Sequence, residues 1–431
     1  MSKARMICWC GKYHKAFVTV FAALASLAIP TLIDASSSKQ VAQLAPLVVP
    51  RTGHVSTVLA DGRVLITGGR DNGGNIVAVS EIFDPTTETS TASAVLTIPR
   101  AEHTATLLPD GRVLVAGGTG TTGSLASAEV FDPTKAAAGF RLLSATMSAA
   151  RSGHTATLLN NGTVLIAGGD ADGTAEIFDP ATEVFTSTLW NLAVPRTGHT
   201  ATLFSDDSVL LAGGNTDSME LFTAADQKFT LESRKMSAVR TGHWALELSD
   251  TRLLLFEGDT GHTIDAFNPS ADTLTLKDSL DTPASSATLL ANGKILVLGA
   301  VVAGLYDPNA VAPTPAFTAF DEVSIPDSTL LLRTGETATE LSRDKKVFIA
   351  GGVDAQKLFG VPALFNPAKI WTDKDDYLPD EPVLLYGSGW KANEDVYLYA
   401  VDSETEQWTY GSTAHADTNG AFAVEPYFIV Q

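Results

Sequence analysis

At 431 residues and 45% hydrophobic content, the chain is long enough to bury a large core. Its 49 acidic against 29 basic side chains leave a formal net charge of −20, which argues against nucleic acid and anionic membrane surfaces as partners, because phosphate binding relies on Lys and Arg. Its two cysteines, Cys8 and Cys10, both lie near the N-terminus, so no disulfide framework staples the body of the fold.

Residues 1–35 differ in kind from the rest. Lys3, Arg5, Lys12 and Lys15 precede the apolar run Ala16 to Ile29, and Ile33-Asp34-Ala35 offers a small-residue cleavage point after Ala35. That is the pattern of a secretory signal peptide, with an uncleaved membrane anchor as the alternative. The apolar run is shorter than the roughly 20 residues a spanning helix needs. The expected location is secreted, extracellular or periplasmic, with no membrane contact beyond export.

From residue 36 the chain becomes a repeat. After Ser36-Ser37-Ser38 comes Val41 to Val49, and then related copies open at Arg51, Arg100, Arg151, Arg196, Arg240, Thr282 and Arg333. The seven starts are 49, 51, 45, 44, 42 and 51 residues apart, and a period in the forties decides the fold before any single motif does. In the third copy His154 to Leu159 is a β-rich run, Asn160-Asn161-Gly162 a tight turn, and Val164 to Ala167 a strand apolar on both faces. Gly168-Gly169 ends that strand where the backbone must turn or come close to a neighbour. Glu176-Ile177-Phe178-Asp179-Pro180 is a third strand stopped by proline, and Val184 to Thr188 a weaker fourth. Four antiparallel strands per copy make a blade, and seven blades closed about an axis make an all-β propeller.

The glycine doublet, the downstream Glu-x-aromatic and the aromatic near the fourth strand resemble the kelch repeat. The resemblance covers residues 40–370 and implies a seven-bladed kelch-type β-propeller of the galactose-oxidase-like group. The kelch tryptophan of the fourth strand is met only by Trp371, with Phe185 and Phe229 elsewhere. The seventh copy lacks an obvious fourth strand, so Val41 to Val49 is expected to supply it and latch the ring.

Copies one to four are the most regular. Copy five has Glu257-Gly258 for Gly-Gly and Asp265 for the acid; copy six has Thr282, Ser285, Gly299-Ala300 and Gly304 where the others carry Arg, His, Gly-Gly and Glu. Copy seven has Glu336 in place of His and Ala363 in place of Glu. From residue 371 the pattern changes to short strands around Val383 to Trp390, Val396 to Tyr399 and Gly420 to Val424. Residues 371–431 resemble an Ig-like β-sandwich module, shorter than the roughly 100 residues of a full one, so a partial sandwich is expected. The domain reading is then a signal peptide over 1–35, a propeller over 36–370 and the partial module over 371–431.

His54, His103, His154, His199 and His243 share one register and read as a structural position of the repeat, whereas His262 and His415 lie outside it with no visible ligand partners. The arginines Arg51, Arg100, Arg151, Arg196, Arg240 and Arg333 would all sit on the face that carries the loops after Gly-Gly. Unpaired charges about 10 Å apart at an effective dielectric near 20 would repel by roughly 1.7 kcal/mol. The repeat supplies Glu81, Glu129, Glu176, Glu220 and Asp265 to neutralise them, and where Arg becomes Thr282 the acid becomes Gly304. A buried repeated ion pair is one reading; a basic funnel, in which the six arginines bind a ligand, is the other. Arg333, without its usual acid, favours the funnel locally, though Glu336 is placed to substitute.

Copper-radical chemistry, which the galactose-oxidase-like resemblance raises, needs a cysteine-linked tyrosine, a second tyrosine and two histidines; the propeller has Tyr306 alone and no cysteine. Asp170-Ala171-Asp172-Gly173 lacks the remaining ligands of a calcium loop and reads as a turn. The expectation is therefore no catalytic residue, no metal and no cofactor. It is a monomeric binding protein, not an enzyme, which recognises a protein or glycan through variable loops on a rigid ring. The alternative is a hydrolase or lyase acting on a glycan.

Overall fold

A computed structural model describes residues 6–10, 14–24, 33–34, 41–310, 315–320, 328–342, 345–354, 356, 358–367, 369–372, 382–388, 395–402, 409–417 and 421–429. Seven four-stranded antiparallel sheets are the blades. Blade 1 runs Val55–Val58, Val64–Thr67, Val79–Asp84, Thr89–Val95, and blade 3 runs Thr155–Leu158, Val164–Ala167, Ala175–Asp179, Val184–Ser187, each in chain order across the sheet. The innermost strands touch in cyclic order and the last, Thr334–Glu340, meets Val55–Val58, so the ring closes.

Why these strands form follows from where they pack. Second strands such as Val113–Ala116, Leu253–Phe256 and Ile295–Leu298 are buried along their whole length. A blade sandwiched between two others must be apolar on both faces. Apolar clusters fill the junction of every neighbouring pair, including that of blades 7 and 1, where Phe83 stacks on Phe348 with centroids 3.9 Å apart. Within blades the third-strand aromatic pairs with the fourth-strand one, Phe178 with Phe185 at 4.8 Å and Phe222 with Phe229 at 4.9 Å.

The first glycine of each doublet is required by the next blade. A Cβ on Gly117 would lie 2.6 Å from His154 Cε1 and 2.8 Å from the Arg151 carbonyl, and φ there is +59°. The blades therefore interlock through the doublet.

Val41–Gln43 pairs antiparallel with Ala363–Phe365 and completes blade 7. The latch expected from the shortage of a fourth strand is present, with only the first part of Val41 to Val49 in the ladder. Trp371 lies outside the blades: it pairs with Tyr386 in a sheet made of Lys369–Thr372, Pro382–Ser388 and Phe422–Ile429. A second sheet joins Asp395–Asp402 and Thr409–His415 to His14–Leu24, within the segment read as an export leader. The cleavage point at Ala35 is outside the described residues. Among those described, no helix is long and apolar enough to cross a membrane.

Candidate functional site

Each repeat arginine sits where the chain passes from one blade to the next, and its side chain turns inward. All six, Arg51, Arg100, Arg151, Arg196, Arg240 and Arg333, are at most 2% exposed. Arg51 Nη2 meets Glu81 Oε1 at 2.6 Å, and the same pair recurs as Arg100–Glu129 (3.0 Å), Arg151–Glu176 (2.9 Å), Arg196–Glu220 (2.6 Å) and Arg240–Asp265 (2.7 Å). Nη1 donates to the carbonyl of the first doublet position, Gly168 at 2.6 Å for Arg151, and to the carbonyl of the residue that leads into the third strand, Thr174 at 3.0 Å. The acid in turn accepts backbone N–H groups of the incoming segment: Val48 and Val49 donate to Glu81, Ala193 and Val194 to Glu220. Arginine and acid thus clamp three pieces of one blade, beneath the loop face rather than on it. Arg333 has carbonyl acceptors instead, on Gly351, Val361 and Leu330, and burial holds its pKa down to about 10.

The register histidines join blades. His154 Nε2 is 3.0 Å from Thr104 Oγ1, His199 Nε2 3.0 Å from Thr155 Oγ1, His243 Nε2 2.9 Å from Thr200 Oγ1, and His54 Nε2 2.9 Å from Thr337 Oγ1, always on the preceding blade. Blade 1 has Val55 where blades 2, 3, 4 and 7 have this threonine, and the hydroxyl comes from Thr67, directly across the ladder from Val55, at 2.9 Å from His103 Nε2. Burial first, and the neighbouring arginine second, lower all five imidazoles to about 3, so they are neutral.

The pattern breaks at blades 5 to 7. Ser285 replaces the histidine of blade 6, and Trp244 replaces the threonine that would have met it, a large-for-small exchange across one junction. Glu336 replaces the histidine of blade 7 and keeps its task, its Oε1 accepting from Ser285 Oγ at 2.7 Å and Ser286 Oγ at 2.8 Å. Glu257 occupies the first doublet position of blade 5, 3% exposed, with Oε2 3.0 Å from His262 Nδ1. Burial raises the Glu257 pKa, and the His262 contact partly offsets that. Sequence reading left His262 without a partner. The signal that finds this pair is the loss of glycine in copy five beside the loss of histidine and arginine in copy six.

No family model and no curated protein matches the chain. Among solved structures it is similar to a fungal alcohol oxidase of the AA5 family in complex with copper, at a TM-score of 0.60 and 15% identity over 89% of this chain and 91% of that one. The structure of YjhT is a weaker match, at a TM-score of 0.45 and 16% identity over 64% of this chain and 95% of that one. The chain is a seven-bladed β-propeller with the fold of that oxidase.

This likeness corrects one expectation. The residues of the propeller point away from an enzyme, but a copper alcohol oxidase is built on the same fold over most of both chains, and that expectation does not stand. At 15% identity what the two share is the fold. The propeller's own residues do not fit a copper ion. Each register imidazole spends Nε2 on a hydroxyl of the preceding blade, and no group of three or more His, Cys, Asp or Glu that could hold a metal occurs among the described residues.

The loops of the propeller's upper face are stiffened by one device in alternate blades. Asp71 accepts from the N–H groups of Gly73 and Asn75, Asp170 from that of Thr174, Asp259 from those of Gly261 and Thr263, and Asp354 from those of Gln356 and Leu358. Asp170, the first residue of the calcium-like stretch, is thus engaged within its own turn. Cavities of about 490 and 450 Å³ open on the opposite face, lined by hairpin turns such as Asp250, Asn292 and Asn309, and Asp61, Asp110 and Arg112.

Proposed function

We propose that the propeller recognises a protein or glycan ligand through the connections between second and third strands on the face above the arginine clamps. One observation carries this reading: beneath that face the Arg–acid clamp is the same in blades 1 to 5, while the connections between second and third strands differ in length and chemistry from blade to blade. They run over residues 68–78 in blade 1, with Arg70, Asp71, Asn72 and Asn75, but only over 299–302 in blade 6. Variable loops on a repeated rigid base are where recognition concentrates. The six arginines act in this reading as positioning residues that hold the loop bases. Recognition is common to a binding protein and to an enzyme, and the leader-like pattern of residues 1–35 supports a secreted or periplasmic location.

The test replaces residues 71–75 and, separately, 119–124 with Gly/Ser of equal length and compares each variant with the full chain on an array of charged and uncharged glycans. Product masses are read for turnover. Retention by at least one glycan is expected, falling at least tenfold in a loop variant whose melt is unchanged. Binding that ignores every loop replacement overturns the reading.

A further inference from the structure

Blade 5 departs from the repeat at linked positions. In blades 1 to 4 and 7 the first doublet glycine lies under the next blade: a Cβ on Gly213 would be 2.7 Å from His243 Cε1 and 3.1 Å from the Arg240 carbonyl. Blade 6 offers Ser285 and Thr282 in place of that histidine and arginine, which opens the space Glu257 enters. Filling a hole needs only an apolar side chain. Instead the site holds a carboxylate in left-handed backbone at φ 68°, facing His262, itself at φ 50°. Such conformations are costly for residues with a side chain and persist where the surroundings impose them. What this arrangement secures is the orientation of one imidazole.

Glu257 is held from two sides: Ala284 N–H donates to Oε1 at 3.3 Å, and Oε2 faces His262 Nδ1. A carboxylate is an acceptor, so in the neutral imidazole Nδ1 carries the proton and the lone pair is left on Nε2. That nitrogen has no hydrogen-bond partner among the described residues, and the His262 side chain is 26% exposed, whereas the register histidines are at most 6% exposed and use Nε2. Around it, the Asp259 side chain is buried, tied to its own loop and 3.6 Å from Arg240 Nη1, Thr260 and Asp281 are exposed, and the chain as a whole is strongly acidic. An anionic ligand would be opposed by the chain's net charge of −20 and by exposed Asp281, which follows Leu280, whose N–H donates to the His262 carbonyl; an uncharged ligand rich in O–H donors would not be repelled.

We propose that Glu257 and His262 form a hydroxyl-recognition site on the loop face, at the junction of blades 5 and 6, whose ligand is an uncharged glycan. The proposal rests on the recognition reading above and narrows it to one ligand class and one acceptor atom, Nε2.

The full chain is screened against uncharged hexose and N-acetylhexosamine oligosaccharides, and the one retained best is titrated into wild type and His262→Asn. Asparagine tolerates the left-handed backbone and keeps a donor for Glu257, but has no acceptor where Nε2 stands. Affinity is expected to fall at least tenfold with an unchanged melt. A second arm needs no variant: diethylpyrocarbonate modification of His262 in the wild-type chain, read by peptide mass, is expected to slow when the glycan is bound. Retention of no uncharged glycan, full affinity in His262→Asn, or unprotected His262 each overturns the site. Where the loop replacements abolish binding and His262→Asn does not, the site falls and the broader reading stands.

Discussion

A buried histidine is a stability device with a pH limit. The five register imidazoles have their pKa lowered from 6.5 to about 3 in the folded chain. Below 6.5 the unfolded chain binds protons that the native one excludes, so their contribution is complete above that pH and is lost progressively as pH falls towards 3. Each imidazole adds up to about 1.4 kcal/mol per pH unit inside that window. The urea midpoint is therefore expected to drop steeply between pH 6.5 and 4, with several protons taken up per molecule; a midpoint flat across that range would refute the neutral ring. The arginine clamp is tested by a cycle. Arg151→Met or Glu176→Gln alone should cost about 3–5 kcal/mol, because each strands a buried charge. The double variant should lose clearly less than the sum, and additive losses would show that the two do not interact. That arginine and acid pair was legible because copy six loses both together; that the pair also gathers backbone N–H groups was not, since backbone donors leave no mark in a sequence.

At the scale of the element, turns were legible and junctions were not. Gly62, Gly111, Gly162 and Gly293 stand at φ between 81° and 87° in the first hairpin of their blades, and a local demand of that kind shows in the residue type. Blade 5 puts Thr251 at the same place with φ 68°, a β-branched side chain where left-handed backbone costs roughly 1–2 kcal/mol. Thr251→Gly should stabilise the propeller by about 1 kcal/mol in denaturant unfolding, once glycine's larger unfolded-state entropy is set against the relieved strain. A loss of stability would show that Thr251 is held by contacts worth more than its strain. Glu257 illustrates the opposite case. The glycine rule at its position is imposed by the next blade's histidine and arginine, so whether it can be broken depends on residues far along the chain.

For the whole molecule, closure is the central fact. Val41, Leu44 and Leu47 are buried against blades 6, 7 and 1, and Val48 and Val49 reach Glu81, so the N-terminal run touches both sides of the join. Removing residues 36–49 should lower one cooperative transition by on the order of 10 °C, given about 2 kcal/mol for each apolar side chain exposed. An unchanged melt would mean that the ring closes without its latch. Periodicity by itself determined the number of blades, the hairpins and the need for a borrowed strand, because strand patterning and turn chemistry act between residues close in sequence. Only the tertiary structure decided that the arginines lie under the face, that each histidine bonds the blade before it, and that Glu257 and His262 meet. Those outcomes hang on contacts such as His54 with Thr337, 283 residues apart, and the free energy of a contact between distant positions is written in neither residue alone.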